Sequence, residues 1–319
     1  MDHLDFAVYR FLSPDGVARF WGGRRVIDPR ITPREVAGRV GISESAVRSR
    51  LASLTRQGFL RDRAVVPNPS LFGKQVFVAD LRVRQSGEVD RILHDLTLVD
   101  GVVFTRDVLD EDERKIEVFF VSENNSTASR LAALLGRLSS GRTPVEPHLY
   151  YIPPCERTLT ALDWRVLESV HRLPDATFAG VAATVGISQK TAARIYHHLI
   201  DSRACWWTHG LASEEFPLAL VRVDLRGAED LDRVAGWIRK EGRLWIPVAR
   251  DGFGLEPERA STVLAGLAPA DVLTVLERFL RNLSSVDGVV GIRRTFALGS
   301  EFYSGWFSDR ITQHVHAMT

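Results

Sequence analysis

The sequence predicts an α+β fold in which two winged helix-turn-helix units alternate with two ferredoxin-like βαββαβ sheets. The first observation is a near-repeat: VAGRVGIS at Val36–Ser43 and VAATVGIS at Val181–Ser188 share six of eight letters. The second is a shared VDGVV, at Val99–Val103 and again at Val286–Val290. The third is the same predicted order of helices and strands around each copy. These observations predict a tandem duplication, with copy one at residues 1–155 and copy two at residues 156–319.

The composition is that expected for a globular protein without a membrane span. Hydrophobic residues make up 45% of the chain and charged residues 25%. No apolar run reaches the roughly 18–20 residues that cross a bilayer, and the N-terminus lacks a signal-peptide pattern. Cys155 and Cys205 are the only cysteines, too few for a disulfide framework or a typical zinc site. We therefore expect a cytoplasmic protein with no bound metal or cofactor.

Positive charge is concentrated in one short segment of copy one. Between Arg24 and Arg63 there are ten arginines and four acidic residues, although the whole chain carries a net charge of only +1. Such a local excess is typical of a surface that faces phosphates, and a solvated arginine-rich face is the alternative.

Residues 1–72 are predicted to form the first winged helix-turn-helix. Asp5 to Leu12 is a short apolar helix, and the segment from Arg19 to Arg25 is predicted to be a loop. Thr32-Pro33-Arg34-Glu35 combines an N-cap, a first-turn proline and a capping-box glutamate, so a helix begins there and ends at Gly41. Ser43 caps a second helix that runs to Gln57, with Gly58 just past its end. A wing strand from Phe59 to Val66 completes the unit.

The second of these helices is predicted to enter the major groove. Val47, Leu51 and Leu54 share one face at 100° per residue and are expected to be buried. The opposite face carries small residues flanked by arginines, which suits a groove of limited width. The DNA-binding candidates in copy one are Ser43, Ser45, Arg48, Ser49, Arg50 and Arg56.

Residues 73–155 are predicted to form the first ferredoxin-like sheet domain, because strand-like and helical segments follow in the order β-α-β-β-α-β. The predicted strands are 76–83, 102–108, 115–121 and 145–152, and the predicted helices are 88–98 and 126–138. This arrangement leaves one sheet face bare, so we expect a partner to cover it.

Residues 156–216 repeat the first unit without about 13 residues, which places an insertion of copy one within about Ser13–Arg30. In the second recognition helix the DNA-binding candidates are Gln189, Lys190, Arg194 and His197. Arg203 stands where copy one has Gly58. Trp206 and Trp207 follow in the wing, where packing is favoured over contact with nucleic acid.

Residues 217–319 repeat the sheet domain and add a tail. The predicted strands are 219–225, 244–249, 260–266 and 289–298, and the predicted helices are 231–240 and 270–283. The tail from Phe302 to Phe307 is rich in aromatic residues and is expected to dock on a sheet or a partner.

This order of elements resembles the Lrp/AsnC family of feast/famine transcription regulators. The matching residues in copy one include Leu4-Asp5, Gly41-Ile42-Ser43, Arg50-Leu51 and Gly58-Phe59-Leu60. In copy two, the segment from Leu283 to Val289 (LSSVDGV) followed by Arg294-Thr295 resembles the family's last helix and strand.

The resemblance implies a regulator that binds double-stranded DNA and dimerises through its sheet domains. Because this chain carries the unit twice, we expect an intramolecular pseudo-dimer that buries both sheet faces on each other, and a homodimer is a further option. The resemblance also implies an amino acid or another small metabolite as effector. The loops near Gly101, Gly252 and Gly254 are weakly indicated as its site.

Two other functions stay open at this point. The same two-part architecture also resembles that of the siroheme decarboxylases, which use histidine and arginine to hold tetrapyrrole carboxylates. Here the histidines are scattered, at His94, His148, His171, His197, His198 and His209. No catalytic motif stands out, so the prediction is that the chain is not an enzyme. The other alternative is a sensor or scaffold in which the second helix-turn-helix is a dimer surface.

Overall fold

A computed structural model shows eleven helices and twelve strands in the part of the chain that it describes. The described residues are 3–12, 19–21, 24–57, 60–85, 87–110, 113–139, 145–210, 218–241, 245–247, 261–267 and 273–318. None of the helices found there is long and apolar enough to cross a membrane.

Copy one contributes five helices and seven strands, with a 3₁₀ turn at Pro69–Phe72 between its two units. The helices are α1 (His3–Arg10), α2 (Pro33–Val40), α3 (Glu44–Arg56), α4 (Glu88–Leu96) and α5 (Asn125–Leu135). The strands are β1 (Arg19–Trp21), β2 (Arg24–Ile27), β3 (Arg61–Pro67), β4 (Gln75–Arg82), β5 (Val102–Asp110), β6 (Glu113–Ser122) and β7 (His148–Tyr150).

Copy two contributes six helices and five strands. The helices are α6 (Ala161–Arg172), α7 (Phe178–Val185), α8 (Gln189–Asp201), α9 (Leu231–Glu241), α10 (Leu273–Ser284) and α11 (Gly305–Ala317). The strands are β8 (Cys205–Gly210), β9 (Leu218–Leu225), β10 (Trp245–Pro247), β11 (Ser261–Leu267) and β12 (Val289–Phe302).

The two helix-turn-helix units share one small sheet, whose strand order is β1-β2-β8-β3. The wing strands β3 and β8 pair antiparallel from Arg61 opposite Gly210 to Pro67 opposite Cys205. Strand β2 then pairs with the other edge of β8. The predicted loop from Arg19 to Arg25 is therefore wrong. The copy-one insertion forms β1 and β2, because β8 of copy two offers a free edge to β2, and β2 in turn pairs with β1.

The two sheet domains also join, in one eight-stranded sheet ordered β10-β11-β9-β12-β5-β6-β4-β7. Each half has the strand order of the predicted ferredoxin-like βαββαβ unit, so the α+β fold class is confirmed. The joint is antiparallel pairing of β12 with β5, from Thr295 opposite Asp110 to Phe302 opposite Phe104. This pairing extends β12 four residues beyond the predicted end.

The predicted tail docks on the molecule as helix α11. Its Trp306 and Phe307 are buried against Phe104 and Phe119 on the face of the first sheet that α4 and α5 leave bare. Ile311 lies further along α11 and enters the core of the second helix-turn-helix. In the described side chains, α11 and the wing therefore cover the bare face of the first sheet. The packing of one sheet face on the other stays a prediction, because it depends on side chains outside the described ones.

Candidate nucleic-acid interface

Capping residues fix where both helices of the first helix-turn-helix begin. The Thr32 hydroxyl accepts from the Glu35 amide at 3.2 Å, and the Glu35 carboxylate accepts from the Thr32 amide at 2.7 Å. The turn between α2 and α3 needs Gly41, which has φ of +77°. Ser43 then caps α3 by accepting from the Ala46 amide at 3.2 Å. The tight turn presents the start of α3 to solvent, where a recognition helix reads bases.

The outward face of α3 carries most of the predicted residues. Val47 and Leu54 are buried and Leu51 is half-buried, which confirms the predicted inner stripe. The other side of the helix is exposed at the small residues and at two arginines: Ser45, Arg48, Ser49, Ala52 and Arg56. Ser43 is exposed as well, and its hydroxyl lies 3.0 Å from that of Ser45.

The two central arginines of α3 differ in their partners. The Arg48 guanidinium donates to Glu44 at 2.6 Å, and both side chains are exposed. An exposed pair of this kind is worth about 0.3–0.5 kcal/mol, so Arg48 can leave Glu44 for a phosphate or base at little cost. Arg50 instead donates to Asp5 of α1 at 2.6 Å in a largely buried pair. The ion pair thus directs Arg50 inward, against its prediction as a DNA-binding residue. No local signal in the sequence indicated this contact, because Asp5 lies 45 positions away.

Helix α8 is built in the same way and presents a longer basic face. Gly186 has φ of +74° in the turn, and Ser188 accepts from the Thr191 amide at 3.1 Å. Gln189, Lys190 and Arg194 are exposed, as predicted.

His197 of α8 is only half exposed. Its ring packs against Phe178 and Tyr196, with centroid distances of 5.9 and 5.5 Å. The exposed histidine of this helix is His198, which the alignment of the copies did not single out. The His197 ring packs against Phe178 of α7 and is therefore partly shielded from solvent. His198 replaces His197 as the outward-facing candidate.

The turn that follows β2 connects copy one to the C-terminal half of α8. Arg30 donates to Asp28 at 2.9 Å and to Asp201, the last residue of α8, at 2.5 Å. The carboxylates around Arg30 raise its pKa, and the largest cause is the hydrogen bond that Arg30 donates to Asp28. Sequence reasoning missed this bridge because 171 positions separate Arg30 from Asp201. It leaves the N-terminal half of α8 open.

The wing tryptophans belong to the core, as predicted. Trp207 is buried against Tyr196, with ring centroids 5.3 Å apart, and the Arg63 guanidinium lies 4.7 Å from its ring centre. Trp206 is half-buried in the cluster beneath α11. Burial also raises the pKa of Cys205, which begins β8, to about 12. This strand therefore serves as a hydrophobic joint and offers no reactive group.

A further basic residue near the first recognition helix was not predicted. Arg34 is exposed in the first turn of α2, and the first helix of a helix-turn-helix crosses the phosphate backbone. Its position in the arginine-rich segment was the available signal. Helix α7, its counterpart in copy two, contains no charged residue.

The suggested effector loops receive no support from side-chain geometry. Gly101 is buried in the turn before β5, where its carbonyl accepts from the Val121 amide at 2.8 Å. This is a structural role. Gly252 and Gly254 lie outside the described residues. Within the described part of the chain, no group of three or more His, Cys, Asp or Glu side chains is placed to hold a metal ion.

A family model described as winged helix-turn-helix DNA-binding matches residues 28–61. These are α2, α3 and their flanks. No protein of curated function matches the sequence.

Solved structures match the chain over its full length or over one copy. The siroheme decarboxylase NirDL matches with a TM-score of 0.51 at 12% identity, covering 99% of each chain. Escherichia coli AsnC covers 50% of this chain and 97% of its own, at 14% identity and a TM-score of 0.33. An AsnC family transcriptional regulator from Agrobacterium tumefaciens covers 50% and 95%, at 17% identity and a TM-score of 0.34. The NirDL match supports the α+β fold over both copies, and the family model supports the first winged helix-turn-helix.

The comparisons correct one prediction. The prediction that the chain is not an enzyme is wrong as drawn, because NirDL has this fold from end to end and is an enzyme. The architecture therefore gives no ground for excluding catalysis.

Proposed function

We propose that this protein is a DNA-binding transcriptional regulator. The observation that carries the proposal is the winged helix-turn-helix at residues 28–61. Its recognition helix exposes small side chains beside Arg48, whose exposed ion pair with Glu44 can be exchanged for a contact with DNA. The second recognition helix supports it with the exposed Lys190 and Arg194. Lysine and arginine on such faces bind phosphates and release counterions, so affinity for DNA should fall steeply as salt rises.

A salt titration of DNA binding tests the proposal. Fragments selected from genomic DNA would be titrated by fluorescence anisotropy at several salt concentrations, with the unmodified protein and with Arg48→Ala. We expect the variant to bind more weakly, and to lower the slope of log K against log salt by about 1 if Arg48 contacts a phosphate. Arg130→Ala, at an exposed arginine on α5, is the matched control and should leave affinity unchanged. Weak binding that does not depend on salt would contradict the proposal.

The proposal includes control by an amino acid or another small metabolite. Its support is the resemblance to the feast/famine regulators, together with polar groups on the part of the first sheet face that α11 and the wing leave accessible. There Arg106 pairs with Glu117, and Lys115 donates to Asp80 at 2.8 Å. A panel of amino acids should contain one that raises the melting temperature and shifts DNA affinity. No effect from any of them would remove this class of effector from the proposal.

A siroheme decarboxylase is the second candidate, on the strength of the full-length fold match. Purified protein would be mixed with siroheme under anaerobic conditions while the absorption spectrum and CO₂ release are followed. A spectral shift with CO₂ release in stoichiometric excess over protein would favour the enzyme. An unchanged spectrum beside salt-dependent DNA binding would favour the regulator.

A further inference from the structure

We propose that one chain binds one duplex site composed of two unlike half-sites, with α3 in one half and α8 in the other. The inference rests on the proposed DNA-binding function and adds the kind of DNA that is recognised. A homodimer presents the same helix twice and therefore reads a palindrome. This chain presents two different helices from one covalent framework.

The shared small sheet supplies the geometry. Strands β3 and β8 occupy equivalent places in the two copies, each following its recognition helix, and they pair antiparallel. Antiparallel pairing of equivalent strands relates the units attached to them by a local twofold rotation. This is the relation by which dimeric helix-turn-helix proteins address two half-sites.

The joint between the two units is well packed. Val65 and Trp207, which lie opposite each other in the strand pair, are both buried in the core of the second unit. The Thr208 hydroxyl donates to the Ala64 carbonyl at 3.3 Å across the same pair. The spacing between the two recognition helices is therefore built into the chain and needs no second subunit.

The two recognition faces differ in size and in chemistry. Helix α3 offers Ser45 and Ser49, whose short side chains suit close approach and apolar or hydroxyl contacts. At the aligned positions, helix α8 offers Lys190 and Arg194, with Gln189 beside them. Arginine and lysine favour guanine, whereas glutamine favours adenine. Because each face favours different base pairs, the two half-sites should have different sequences.

The surroundings of the two helices are also unequal. Helix α2 exposes Arg34 towards solvent, while α7 has no charged residue. The insertion strands β1 and β2 exist only in copy one, and Arg30 from that segment holds the C-terminal end of α8 through Asp201. The N-terminal half of α8, which reads bases in this motif, keeps Lys190 and Arg194 exposed.

Selection from a randomised duplex pool tests the inference. We expect a bipartite consensus whose halves are not inverted copies, and native mass spectrometry should show one chain per duplex. Arg48→Ala and Arg194→Ala should each relax base preference in a different half, with about a tenfold loss on the best site. Arg130→Ala is the control for both variants, and unchanged melting temperatures would show that they stay folded.

The outcomes distinguish a failure of this inference from a failure of the proposed DNA-binding function. A palindromic consensus bound by two chains, with both variants affecting both halves, would overturn the inference and leave the regulator intact. A consensus confined to one half, with Arg194→Ala silent, would also overturn it. Salt-insensitive binding without sequence preference would instead overturn the DNA-binding function itself.

Discussion

Arg203 adopts a left-handed backbone conformation, which suits glycine better than arginine. Among the described residues it is the only non-glycine with positive φ, at +58°. It ends α8 at the place where the sequence alignment puts Gly58 in copy one. The left-handed conformation costs an L-residue roughly 1–2 kcal/mol, and the Arg203 side chain makes an exposed ion pair with Glu156. The Arg203 carbonyl also accepts from the Asn68 side chain at 2.8 Å, a backbone contact that glycine would keep.

Arg203→Gly is therefore expected to stabilise the protein. The relief of strain is partly offset by the extra freedom of glycine in the unfolded chain, so we expect a net gain of about 0.5–1 kcal/mol in the free energy of unfolding. Urea unfolding would measure it. Arg203→Ala, which keeps a Cβ in the same conformation, is the control and should show no gain. A lower midpoint for the glycine variant would disprove the strain.

Arg48 and Arg50 offer a matched pair of arginines on one helix. Arg50→Ala removes a charged hydrogen bond to Asp5 in a largely buried setting and should cost roughly 1.5–3 kcal/mol of stability. Arg48→Ala removes only an exposed pair and should leave stability unchanged while weakening DNA binding. Thermal melts and anisotropy on both variants would check this. If Arg50→Ala weakened DNA binding and left stability unchanged, Arg50 would again be a DNA-binding candidate.

His171 is expected to make the junction of three elements sensitive to pH. Its Nδ1 lies 2.7 Å from the Val65 carbonyl of β3 and therefore donates to it, and its Nε2 lies 3.0 Å from the Ser308 hydroxyl of α11. Burial lowers the pKa of His171 below its ordinary value of 6.5. Below that value the unfolded histidine takes up a proton that the folded one resists, so stability should fall as pH falls.

The measurement is the urea midpoint between pH 7.5 and pH 5.5. The unmodified protein should lose stability over this window, and His171→Gln should show a flatter profile. His198→Gln, at an exposed histidine in the same unit, should keep the original profile. Equal slopes for all three proteins would show that His171 does not set the dependence.

At the scale of elements, helix α11 ties a sheet domain to a helix-turn-helix. Phe307, in the first turn of α11, is fully buried and stacks with Phe302 at a centroid distance of 6.2 Å. Removing a buried phenylalanine leaves a cavity and costs about 3–5 kcal/mol, so Phe307→Ala should destabilise the protein by that amount. Met318→Ala, at an exposed side chain near the end of the helix, should change nothing. A loss below about 1 kcal/mol in urea unfolding would mean that α11 is not needed to cover the sheet.

Elements with local signals could be predicted from the sequence. Capping residues, apolar spacing and turn glycines placed α2, α3, α7 and α8, and alternating apolar residues placed the longer strands. Strands β1 and β2 could not be found in this way. They are only three and four residues long. Strand β1 pairs with β2, and β2 pairs with β8, which lies about 180 positions away. Sequence separation also hid the ion pairs of Arg30 and Arg50, whose partners Asp201 and Asp5 lie 171 and 45 positions away.

The candidate site was predictable in part for the same reason. Exposure follows from helical periodicity, so Ser45, Arg48, Ser49, Lys190 and Arg194 lie where the pattern puts them. Periodicity does not describe neighbours from other elements. Asp5 withdraws Arg50 and Phe178 covers His197, and both contacts depend on the tertiary fold.

At the scale of the whole molecule, the two copies are joined by strand pairing in both sheets and by helix α11. Strand β3 pairs with β8, strand β12 pairs with β5, and α11 of copy two packs on the first sheet. Val65 and Val66 of copy one are fully buried. Val65 lies in a core made largely of copy-two residues, and Val66 lies in a core that combines residues of both copies. Each copy alone would expose these apolar groups together with unpaired strand edges.

The two copies are therefore expected to fold only together. Residues 1–155 and 156–319, expressed separately, should aggregate or self-associate, because the free edges of β3 and β5 are templates for pairing with another chain. Expressed in one cell, they should purify as a 1:1 complex with a single cooperative melt. The measurement is size-exclusion chromatography with light scattering, followed by thermal unfolding. A monomeric, cooperatively folded 1–155 fragment would show that the copies are independent domains, and the fixed spacing between α3 and α8 would then lose its basis.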